Sequence, residues 1–167
     1  PILTGGAFTI GVHHALLFSG QQFVTAAVAA TLMGLIPILT PAANRLVRPA
    51  QHLSRSTVAG LVVGFAGVVL IARPEPATLL SDVRGVALVF GAAVAFVVGA
   101  VLTDERRADL SPVALRAWMV LVGALLLHLV ALGLPGESLA AATWTPSSTA
   151  WLFYVAVVPG AAGFFVY

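Results

Sequence analysis

The sequence predicts an all-α membrane protein, a multi-span helical bundle with about six transmembrane helices. Three observations carry this expectation. Apolar residues make up 60% of the 167-residue chain, and its mean hydropathy is +1.05. Charged residues account for only 8%, against roughly 25% in a soluble domain. The apolar residues are gathered into segments of about the 20 residues that a helix needs to cross a hydrocarbon layer, and polar punctuation separates those segments.

The six spans follow one another along the chain. The first runs from Ile2 to Gly20 and holds adjacent histidines, His13 and His14, in "TIGVHHALLFSGQQF". The second, Val24 to Ala43, carries Pro37 and Pro41 one turn apart, and each removes a backbone donor and favours a kink. The third, Thr57 to Ala72, is rich in glycine, and the fourth runs from Gly85 to Thr103. The fifth, Pro112 to Leu134, begins with Ser111 as cap and proline at its first position. The sixth, Ala150 to Tyr167, is interrupted by Pro159. None of these spans contains Asp or Glu, and Arg116 lies close enough to an end to snorkel.

Arginine placement orients the spans, because cytoplasmic loops are enriched in basic residues. Arg45, Arg48, Arg55, Arg106, Arg107 and Arg116 fall on one side, whereas the other has Arg73 and Arg84 among Glu75 and Asp82, and Glu137 in the last connection. The second span should therefore run inward, with both chain ends on the cytoplasmic side. The loop "ARPEPATLLSDVRG" divides the chain into two three-span groups and reads as a hinge between them. "PILTGG" lacks an initiator methionine and a charged leader, and "VVPGAAGFFVY" stops inside an apolar segment, so the chain is expected to be a piece of a longer protein.

Composition also excludes functions. Without cysteine there is no disulfide, thiolate metal site or cysteine nucleophile. The 8 arginines against 6 carboxylates form no basic patch, so nucleic acid is not an expected partner. No phosphate-binding glycine loop, zinc-protease helix or nucleophile elbow is present. Small residues instead recur at four-residue spacing, as helix packing in lipid requires: Ala7, Gly11 and Ala15; Ala26, Ala30 and Gly34; Gly60, Gly64 and Gly67; Gly91, Ala95 and Gly99.

"QFVTAAVAATLMGLIPILT", Gln22 to Thr40, resembles the fourth membrane helix of the EamA-type family in the drug/metabolite transporter superfamily. "RLVRPAQHLSRSTVAGLVVGFAGVVLIARP" is similar to that family's cytoplasmic loop and fifth helix. The stretch from Gly85 to Leu132 is similar to helices six and seven, and "WLFYVAVVPGAAGFFVY" to the start of helix eight. Gln51 departs from the family's usual glutamate in the loop, so a role that depends on that charge does not transfer.

The resemblance implies a ten-helix inverted-repeat transporter of which this chain supplies helices three to eight. Residues 1–72 would then complete the first half, 73–84 join the halves, and 85–167 begin the second. It further implies a multi-pass protein of the cell membrane, a secondary transporter or exporter of small metabolites working by alternating access, with no enzymatic activity and no cofactor. Its partners would be a small-molecule metabolite and the lipid bilayer, with a homodimer left open. A membrane-embedded metal-dependent enzyme and a non-transporting scaffold are the alternatives.

The candidate substrate-binding residues are His14, His13, Thr31, Pro37 and Phe96. Ionisable groups inside a membrane are functional suspects by default, and histidine changes charge near neutral pH. Adjacent helix positions point about 100° apart, so the two histidines cannot both face one cavity. His14, beside the Ala7 and Gly11 stripe, is the one expected to pack toward a neighbouring helix; His13 shares another face with Gly6 and Thr9. No metal site is expected, since neighbouring positions lack the i, i+4 spacing that brings two imidazoles to one ion. Thr31 offers a hydroxyl that its own helix can also take up, Pro37 a bend suited to a cavity wall, and Phe96 a ring on which a planar substrate could stack. His128, alone among leucines, reads as a packed neutral side chain.

Overall fold

The computed structural model describes residues 2–49, 53–75, 77, 82–105, 111–133 and 143–158. Among these residues every regular element is helical. Helix α1 spans Ile2–Gln21, α2 Ala26–Val47, α3 Arg55–Ala72, α4 Val83–Glu105, α5 Pro112–Gly133 and α6 Pro146–Val155. The first five contain stretches long and apolar enough to cross a membrane, and α6 lies within a shorter apolar helix, Pro146–Val158.

Local chemistry sets the helix ends. Each N-terminus leaves backbone N–H groups without an intrahelical partner, which a short polar side chain can satisfy. Thr25 accepts from Val28 N–H, Ser54 from Thr57 N–H at 3.1 Å, Asp82 from Gly85 N–H at 3.1 Å and Ser111 from Ala114 N–H at 3.2 Å. Thr145 and Ser148 form a reciprocal capping box ahead of Pro146, so the last helix begins before the expected Ala150. Helix α3 stops where Arg73 takes a left-handed conformation at φ 45° and returns its N–H to Val69 O.

Two of the membrane-length helices are irregular. In α1 an α-helical turn, Ile2–Gly5, leads into a π-helical segment, Gly6–Val12, before regular α-helix resumes over His13–Gln21. Helix α2 is divided into Ala26–Met33 and Ile36–Val47 by a turn at Gly34 and Leu35. Pro37 sits in the first turn of the second half, where its missing N–H costs no hydrogen bond. The sequence-based kink at Pro37 is thus a break three residues earlier, while Pro41 lies inside the second half.

Helix α4 is the centre of the bundle. Val89, Ala92, Ala93 and Val97 are almost fully buried, and α1 and both halves of α2 pack against it. The α1 π segment also packs on α5, whereas α3 touches the first half of α2. Contact is close because glycine stands on the partner surface. A Cβ added to Gly99 of α4 would lie 2.7 Å from Thr9 N, and one added to Gly123 of α5 would lie 2.9 Å from Gly6 O. At the other end of α1, the Arg84 guanidinium sits 5.6 Å above the Phe23 ring, joining the start of α4 to the α1–α2 turn.

Several expectations change. Ala26 and Ala30 are exposed, and α2 buries Val28, Ala29 and Thr31 instead, because a helix apolar all round does not reveal its packing face. Gly60, Gly64 and Gly67 on α3 have no neighbour beside them among the described residues. His128 lies on the exposed side of α5, away from Gly123, and donates Nδ1–H to Ala124 O at 3.2 Å. Expectations concerning Gln51, Arg106, Arg107, Glu137 and Pro159 fall outside the described residues.

Candidate functional site

A polar junction lies between α1 and α4. His13, buried at the end of the π segment, donates Nδ1–H to Ala92 O across the helix interface at 2.9 Å. A carbonyl oxygen has two lone pairs, so Ala92 can accept this bond while remaining in its own helical ladder. The bond places the proton on Nδ1, which leaves Nε2 of a neutral ring as an acceptor. The Phe96 ring, one turn along α4 from Ala92, meets His13 edge-on with centroids 5.3 Å apart. His14 lies nearly perpendicular to His13 at 4.8 Å and packs on Phe18 at 5.6 Å.

The two histidines therefore have different roles. His14 donates its Nδ1–H to Ile10 O of its own helix at 2.8 Å and is only half-buried. His13 reaches the neighbouring helix, which reverses the expected order of the pair. The reason lies on the facing surface. Gly91, Ala92 and Gly99 make α4 thin there, so α1 presents its larger residues, Thr9 and His13, to α4. The stripe of small residues on α1 was thus the less informative one.

The other sequence candidates are dispersed. Thr31 is buried, but its hydroxyl donates to Ala27 O of its own helix at 2.9 Å. Pro37 is exposed on α2. Phe96 alone of the three joins the histidine pair. Thr9, which the sequence did not single out, is buried one turn before His13, with its hydroxyl on Gly5 O. Its signal was the shared helical face of Gly6, Thr9 and His13. Ala92 could not have been found from sequence, because its contribution is a backbone carbonyl. Among the described residues no three His, Asp or Glu side chains converge.

Comparison with known proteins bears on what this junction serves. Residues 1–73 match the EamA-like transporter family. Over that stretch the chain is similar to EamA-like transporters. That EamA-like segment comprises α1, α2 and α3, and its match stops at Arg73, the left-handed residue that ends α3. Five described helices are long and apolar enough to cross a membrane, as in a multi-pass membrane protein, and the family that residues 1–73 match is one of transporters. A relative in Archaeoglobus fulgidus, described as an uncharacterized transporter, is 25% identical over 123 residues, covering 74% of this chain and 43% of the relative. The chain thus spans less than half the length of that curated relative. No solved structure matches.

Proposed function

We propose that the protein is a secondary transporter or exporter of small organic metabolites, working by alternating access between a half that ends at 72 and a half that begins at 85. The EamA-like match over residues 1–73 supports transport. The observation that carries the site is the His13–Ala92 hydrogen bond, because it joins α1 of the first group to α4 of the second. In lipid such a bond is worth about 0.6–2 kcal/mol, enough to bias two arrangements of the groups and weak enough to break during a cycle.

The chemistry around His13 suits a neutral or anionic organic solute. Two imidazoles provide hydrogen-bonding nitrogens, Phe96 and Phe18 provide ring surface, and the predicted spans contain no carboxylate to attract a cation or relay a proton. The site belongs at the cell membrane, with the metabolite and the bilayer as partners.

Reconstitution in liposomes tests this reading. The full-length protein should carry at least one of a panel of amino acids, nucleosides and amphipathic drugs, and His13→Gln should lower that flux several-fold. Absence of flux across the panel removes the transport reading. Flux that neither His13→Gln nor His14→Gln changes, in size or in pH dependence, makes the pair structural.

A further inference from the structure

We propose that α1 has two backbone registers and that the π segment Gly6–Val12 interconverts them, making and breaking the His13–Ala92 bond by rotation. The π segment extends over seven residues, whereas π-helix occurs mostly as single-turn bulges, often at functional sites. Its last hydrogen bonds are shared: His13 N–H is directed at both Phe8 O and Ile10 O, the i−5 and i−3 acceptors. The amide at the π/α junction is therefore not committed to a single helical geometry.

The N-terminal end of α1 is held between α4 and α5, where a Cβ on Gly5 would meet both Thr103 and Met119, whereas the C-terminal end packs chiefly on α4. A Cβ on Gly6 would lie 2.6 Å from Met119 O of α5, and one on Gly20 would lie 2.6 Å from Val89 Cγ2 of α4. Within the segment the contacts also alternate, since Gly6, Ile10 and Gly11 meet α5 while Thr9 and His13 meet α4. A change of winding between the two anchors must therefore appear as rotation of one end against the other.

The size of that rotation follows from geometry. Each residue turns about 100° in an α-helix and roughly 80° in a π-helix with its i→i+5 bonds. Over the seven residues the two windings differ by a little more than one residue, or somewhat above 100°. With the N-terminal end held on α5, rewinding to α-helix brings Val12 opposite Ala92. His13 then swings to the side that His14 occupies now. Val12 is well suited to the exchange: it is apolar, directly precedes His13 and is exposed in the π register. Without a proton or an ion, the bond between the two three-span groups is present in one register and absent in the other.

The use of this switch in a transport cycle rests on the transporter reading, but its existence does not, and cross-linking reads the register without substrate. These 167 residues contain no cysteine, so once any cysteine elsewhere in the full-length protein is replaced, introduced pairs report alone. Ala92→Cys is combined with either His13→Cys or Val12→Cys in the full-length protein in liposomes and treated with a mild oxidant. Both pairs should cross-link, the Val12 pair more slowly. Cross-linking of the His13 pair with none of the Val12 pair over the same time overturns the proposal. Deleting Ala7 removes one residue from the π segment, so that continuous α-helix keeps His13 opposite Ala92. This deletion should abolish the Val12 cross-link and spare the His13 one; persistence of the Val12 cross-link would assign it to loose packing and overturn the proposal. In the unaltered protein, the His13 nitrogen-15 spectrum should show carbonyl-bonded and unbonded Nδ1–H populations, and a bonded population alone counts against two registers.

Discussion

His13 and His14 show how one residue of displacement decides what an identical side chain does. Both rings donate Nδ1–H to a carbonyl, but one bond crosses to α4 and the other stays within α1. Only the first is lost on separating the helices. His13→Ala should therefore lower stability by about 0.6–2 kcal/mol, the range for interhelical hydrogen bonds in membranes, because the Ala92 carbonyl keeps its place in the helical ladder. His14→Ala should cost much less, since its carbonyl partner lies on the same helix. Thermal unfolding of the two variants in one detergent compares them directly, and equal losses would contradict the cross-helix assignment. The candidate site was partly legible here: intramembrane histidines are conspicuous, and their separation onto two faces follows from helix geometry. Which of the two faces packed was not legible, because it depends on residues some 80 positions away in sequence around Ala92.

At the scale of elements, the glycines of α4 and α5 determine how closely α1 can approach. Gly99→Leu would drive a side chain into Thr9 of α1, since even a Cβ there lies 2.7 Å from the Thr9 nitrogen. Overpacking of this kind costs about 1–3 kcal/mol, and the collision is with backbone, which cannot simply rotate away. A clear fall in melting temperature is expected. Gly64→Leu on α3, where no described residue lies within 4 Å, should leave it near the parent value. The same four-residue spacing of small residues was read in both helices, yet only one of them is closely packed here. Spacing identifies a surface able to pack, whereas a partner must be present to use it. The π segment was not foreseen either, since no proline or other local signal in "GAFTIGV" marks it. It is accommodated where α1 is held between two helices at once.

For the whole molecule, the distribution of arginine remains the physical basis for orientation, and labelling of single cysteines in a protein otherwise freed of them tests it. A single cysteine at Leu53, between α2 and α3 and flanked by Arg45, Arg48 and Arg55, should be shielded from an impermeant maleimide added outside cells. One at Glu75, beyond α3, should react. The opposite pattern would reverse the orientation. Among the described residues, exposed apolar side chains are abundant on α3 and α6. Val62, Val63, Leu70 and Ile71 of α3, and Trp151 and Phe153 of α6, face outward, which a bilayer tolerates and water does not.

The sequence by itself determined the class of the molecule and the order of its helices, because hydrophobic length is a local property, whereas several ends, such as Val47 and Pro146, lie a few residues from where it set them. It also placed histidine inside the membrane, where such a residue must find a partner. Only the tertiary structure decided that α4 is the hub, that α1 is wound partly as π-helix, and that His13 rather than His14 bonds across from α1 to α4. In a chain apolar on every face, hydrophobicity gives no direction to packing. The choice passes to shape, and shape is settled only when the thin surface of α4 and the larger side chains of α1 are brought together.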